Sequence, residues 1–182
     1  MPHLALYTFG VLKAPLADPG RLTREFYEAG EAVYREVRGA PGYLGDAVAE
    51  DAGRGGLFGA DWGVWGEFVV PGWYGKGRTA ETTALAATLS LWTGPGPAFE
   101  AVYTGVHRGA LGRRYDWFER TGHPGHVCWW VPEGAIPVWR DGVTRLEHLH
   151  EHGPAPHAFT FHDSFAPDGT AVEGVSTSGR RR

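Results

Sequence analysis

The chain has a single cysteine, Cys128, so no internal disulfide can staple it, and the lone thiol fits a reducing compartment. It holds only two lysines, Lys13 and Lys76, among 17 basic residues, and three of the arginines close the sequence. The net charge is nevertheless −4, which excludes the broad basic footprint of a nucleic-acid binder. No apolar run reaches the length of a membrane span. The early stretch LALYTFGVL has no basic region before it and no small-residue cleavage site after it, so no signal peptide is expected. These absences lead us to expect a cytoplasmic protein with no membrane partner.

What the sequence does have is apolar bulk. Hydrophobic residues make up 42% of the 182 and aromatics 13%, enough for one packed domain. Eight tryptophans suit an aromatic-lined cavity or a large interface, and equally the filling of a wide core.

Patterning predicts the elements in turn. HLALYTFGVL (3–12) alternates as a strand. Asp18 and Pro19 then suit the start of a helix carrying Leu22, Phe26, Ala29, Val33, Tyr34 and Val37, which Gly39 and Pro41 stop. A second strand is expected over 42–50. Residues 51–79 hold nine glycines and three tryptophans and are expected to form an insertion or lid. Strands follow at 82–92, 126–131 and 158–165, with helices over 99–118 and 138–152. The domain is expected to span 1–166, with 167–182 a disordered tail. This β-α-β-(insert)-β-α-β-α-β order implies an α+β, ferredoxin-like sandwich: an antiparallel sheet with helices on one face. Its other face would be bare, and a homodimer is expected to form through it.

The helix FEAVYTGVHRGALGRRYDWF concentrates the chemistry. At 100° per residue, Phe99, Val106, Ala110 and Trp117 fall on one side of Tyr103, and His107, Arg114 and Phe118 on the other. Arg108, Arg113, Asp116 and Arg120 fall off this face. Two readings stay open. His107 can be a core histidine bonded to backbone or to Tyr103, and Arg114 can pair with Glu25, Glu28 or Glu31. Alternatively His107 is a general base on an acidic C–H or O–H, with Arg114 or Tyr103 stabilising the oxyanion. Phe99, Trp92, Trp117, Trp129 and Trp130 would then bind a flat substrate, although Trp129 and Trp130 alternate and only one can face it.

Other signals are weaker. His148 and His152 share a helix face but lack a well-placed third ligand, so no metal site is expected. The loop HPGH (123–126) can bring a histidine near His107, or can simply turn. GRGGLFG and GKGRT lack the spacing of phosphate-binding loops, and Cys128 lies in an apolar run that blunts it.

The segments LSLW, FEAVYTGVHRGALGRRYDWFE, CWWVPEGAIP and RLEHLHEHGPAPHAFTF resemble a bacterial family of domains of unknown function, DUF3291, in the dimeric α/β-barrel superfamily. The similarity covers 3–50 and 82–165. The resemblance implies two ferredoxin-like protomers closing a dimeric α/β barrel. It also implies a relation to antibiotic-biosynthesis monooxygenases, polyketide cyclases and isomerases, and some haem enzymes. The leading expectation is therefore a tailoring enzyme of specialised metabolism that acts on an aromatic or polyketide-like molecule without a cofactor. The alternatives are a haem enzyme with His107 as ligand, and a non-catalytic small-molecule binding protein.

Overall fold

A computed structural model describes residues 1–15, 20–49, 57–79 and 82–175. The four principal strands are β1 (His3–Val11), β2 (Tyr43–Asp46), β3 (Leu85–Trp92) and β4 (His126–Val131). They form one sheet in the order β2-β3-β1-β4, with every neighbour antiparallel. β1 is central because its alternation is apolar on both sides. Leu4 and Leu6 enter one core, while Ala5, Tyr7, Phe9 and Val11 enter the other. β4 (HVCWWV) behaves likewise: Cys128 and Trp130 face one core, Val127, Trp129 and Val131 the other. The predicted bounds of β4 are those observed.

The helix α1 (Arg21–Arg38) packs over the first face together with α3 (Pro95–Tyr103) and α4 (Gly105–Gly112). Its expected Asp18 cap lies outside the described residues. Gly39 ends it by donating to the carbonyls of Glu36 and Val37. From its last turn Arg38 clamps Asp46 of β2 through two bonds, at 2.8 and 3.1 Å.

The opposite face is not bare, which corrects the expectation of helices on one side. α6 (Trp139–His152) lies across it, burying Trp139, Val143, Leu146 and Leu149. Gly142 makes this approach possible, since a Cβ there would stand 2.5 Å from the Tyr7 ring. Residues 57–79 fill the rest, through a 3-10 turn (Gly63–Trp65) and the short α2 (Gly72–Gly75). Trp62 and Phe68 meet Trp139 edge-on, at 4.8 and 4.9 Å between ring centres. Tyr74 lies buried with its hydroxyl accepting from the Ala84 N–H. Trp62, Phe68 and Tyr74 of the insertion are therefore core residues, on the sheet face turned away from α3 and α4.

The last expected strand, 158–165, survives only as bridges and as β5 (Ser164–Phe165), which pairs with β6 (Ala171–Val172). His162 and Asp163 interrupt it with a bend in which Asp163 N–H meets Thr160 Oγ1. The chain beyond Pro167 is not a disordered tail as far as Val175, whose N–H donates to Phe161 O. Residues 176–182 lie outside the described ones. No helix among the described residues is long and apolar enough to cross a membrane.

Candidate functional site

The expected helix over 99–118 is three helices. It starts earlier, at Pro95, because Pro95 and Pro97 occupy a first turn whose N–H groups have no intrahelical acceptor. It breaks after Tyr103, where Thr104 is extended (φ −124°, ψ 177°) and its hydroxyl donates back to Glu100 O at 2.7 Å. Gly105 follows at φ +53°, a conformation glycine adopts without strain. A second reason for glycine comes from α1. The Glu36 carboxylate packs where a Cβ on Gly105 would stand, and accepts from the His107 N–H at 3.2 Å. A carboxylate from a neighbouring helix thus caps the start of α4, where the helix dipole favours negative charge. A second break at Arg113 gives α5 (Arg114–Trp117).

These breaks reset the wheel, so the predicted face does not persist through all three helices. Tyr103 lies at the end of α3, with its ring 4.5 Å from Phe99 and 6.1 Å from Phe161. Burial, foremost, raises its hydroxyl pKa; Arg114 opposes this through space and Cys128 adds to it. Tyr103 is thus a neutral phenol at pH 7. His107 is half-buried, and its Nδ1 is enclosed without a hydrogen-bond partner among the described residues. Burial lowers its pKa, against the Ala101 backbone and Glu36, so the ring is neutral at pH 7. It is the expected inward histidine, and the carboxylate that reaches it is Glu36, through its backbone.

Arg114 is the correction. It is exposed, bonded to Leu111 O at 3.0 Å and to Tyr115 Oη at 3.3 Å, and pairs with no carboxylate among the described residues. Its neighbour Arg113, read as an ordinary surface charge, binds Glu25 at 2.8 Å and Asp116 at 3.0 Å and ties α5 to α1. Both arginines are thus exposed, and Arg113 rather than Arg114 takes the Glu25 carboxylate.

The tryptophans do not line one cavity. Trp92 is fully buried, donating to Ser90 Oγ at 2.9 Å beside Tyr43. Trp117 joins Leu12, Ala84 and Phe26 in a separate cluster. Trp129 faces α6 beneath the Arg145 guanidinium, on the far side of the sheet. Trp130, the alternate residue, shares the Tyr103 side, and its Nε1 donates to Phe165 O.

Two residues join that side unforeseen or only half foreseen. Phe161 touches both Phe99 and Tyr103, and the signal for it was the two-residue repeat Phe159, Phe161. His126, from HPGH, stacks on Phe161 at 5.2 Å, and burial pushes its pKa down to about 4. His123 of the same loop goes the other way, lying flat on Trp73 at 3.9 Å and beside His150. Farther along α6, His148 stacks on His152 and meets His157. Among the described residues no group of three His, Cys, Asp or Glu side chains is arranged to hold a metal ion. Cys128 is fully buried with its thiol pKa raised, as its apolar run predicts.

What this side offers chemically is the neutral Tyr103 phenol and the neutral His126 imidazole beside Phe99 and Phe161, while His107 opens α4 against Ala101 and Glu36. No curated protein matches the chain. Among solved structures it is similar to a protein of unknown function from Nitrosomonas europaea. The identity is 8% and the TM-score 0.43, over 76% of this chain and 97% of that one. The family model for the domain of unknown function DUF3291 matches residues 3–175, nearly the whole chain and most of each core, so the protein belongs to that family.

Proposed function

We propose that the chain is a small-molecule enzyme in which His107 acts as a general base on an acidic C–H or O–H of an aromatic or polyketide-like substrate. The observation that carries this reading is the state of the His107 ring: half-buried, with burial lowering its pKa and Nδ1 unpartnered. An imidazole left neutral at pH 7 has a free lone pair to receive a proton. Tyr103, also neutral, is the nearest phenol in sequence and would donate to the oxyanion in place of the expected Arg114. Phe99 and Phe161 would carry the flat part of the substrate. The anion would go on to oxygenation by O₂ or to cyclisation or isomerisation, in specialised metabolism and in the cytoplasm.

The strand order supports a ferredoxin-like protomer. With Trp62, Phe68 and Trp139 filling the second sheet face, a barrel closed through that face is not part of the proposal. The site proposed lies within one chain.

The test uses proton abstraction itself. The protein is incubated in D₂O with a panel of enolisable aromatic ketones and β-diketones, and exchange at the acidic C–H is followed by NMR. At least one compound is expected to exchange faster than in buffer, with a loss of about 10²-fold or more in His107→Ala. Equal exchange by a folded His107→Ala protein, or none above buffer across the panel, removes His107 from this role. A pure binding protein would instead shift the substrate signals without exchanging them.

A further inference from the structure

The end of β1 runs antiparallel to the segment leaving α5. Leu12 bridges Phe118, Lys13 N–H donates to Trp117 O at 2.8 Å, and Glu119 N–H to Val11 O at 2.9 Å. This pairing places Lys13 beside Tyr115, with Nζ donating to the Tyr115 carbonyl. Arg120 lies over the Tyr115 ring at 3.6 Å and Arg114 at 4.4 Å. Beneath them the Phe118 ring rests on Gly10, where a Cβ would stand 2.6 Å away. The result is an open groove of about 350 Å³ lined by Lys13, Tyr115, Phe118, Glu119 and Arg120.

The groove gathers positive charge: Lys13, Arg114 and Arg120 converge on Tyr115, and none of the three forms an ion pair among the described residues. Three cations therefore meet Glu119 alone, on a protein whose net charge is −4. The Tyr115 hydroxyl senses this field: its pKa is lowered by Arg114 and, less, by Arg120. One arginine on an exposed tyrosine is ordinary cation–π packing. Two on one ring, with a lysine at its backbone, leave an uncompensated positive centre. Because Arg120 gives its face to the ring, its N–H edges stay free, in the planar fork that matches a carboxylate or phosphate.

We propose that this groove is a binding site for a small organic anion, a carboxylate or a phosphate. It is distinct in residues from the His107 site, and its volume suits a small-molecule ligand.

The experiment titrates the full chain with benzoate, phenyl phosphate and, as the uncharged control, benzyl alcohol, followed by backbone NMR shifts. Saturable shifts at Lys13, Tyr115 and Arg120 are expected with at least one of the two anions, and whichever binds identifies the headgroup. Affinity should fall about tenfold in Arg120→Ala and in Lys13→Ala, stay closer to wild type in Arg120→Lys, and weaken with added salt. These side chains are exposed, and an unchanged backbone spectrum confirms that each variant folds. Failure of both anions to saturate, equal binding of benzyl alcohol, or affinities indifferent to both alanine variants would overturn the proposal. His107→Ala should leave this binding intact, so failure here and failure of the exchange assay are separate results.

Discussion

Acid should unfold this protein partly through one side chain, His126. Its Nε2 is enclosed without a partner among the described residues, its ring stacks on Phe161, and burial alone depresses its pKa to about 4. The unfolded chain returns it to about 6.5. Between those values the unfolded state binds more protons, so stability rises with pH and is lost as pH falls from about 6.5 towards 4. Below 4 both states are protonated and the loss levels off. The full span corresponds to at most about 3 kcal/mol, and partial solvent access reduces the share lost between pH 7.5 and 4.5 to about 2 kcal/mol. The assay is urea unfolding of wild type and His126→Phe at both pH values. Phenylalanine keeps a flat ring against Phe161 and has nothing to titrate. Wild type should lose about 2 kcal/mol more on acidification than the variant. Equal losses, or an NMR titration placing His126 near 6.5, would refute the reasoning, because burial would not then be excluding the charged ring.

The fold makes two further predictions. Gly142→Ala forces a methyl group into the Tyr7 ring and should destabilise by about 1–3 kcal/mol through displacement of α6, read as a lowered urea midpoint. Cys128, buried with a raised thiol pKa, should resist a disulfide reagent in the native protein and react at once in denaturant; prompt native labelling at neutral pH would contradict its burial.

The four principal strands and α6 were legible in the sequence because their signals are local. HVCWWV is a short, continuous apolar run of the kind used by a strand buried on both faces. Residues 138–152 carry a helical period that Gly153 stops. The break at Thr104–Gly105 was not legible, although the glycine was in plain view. What converts it from a tolerated helix glycine into a break is Glu36, a carboxylate from another helix. Arg114 was misplaced for the same reason, since a wheel carried past an unseen break assigns its final residues to the wrong face. The covering of the second sheet face was hidden differently. Trp62, Phe68 and Tyr74 follow no helical or strand period, so only the tertiary structure reveals them as core.

The position of β1 bears on how the molecule comes apart. One strand supplies Leu4 and Leu6 to one core and Tyr7 and Phe9 to the other, while its backbone binds both β3 and β4. Neither core can melt while its neighbour stays intact, because the wall they share would have to remain ordered with one side stripped to water. The two cores are therefore expected to unfold as one cooperative unit, with tryptophans on opposite faces of the sheet reporting a common midpoint.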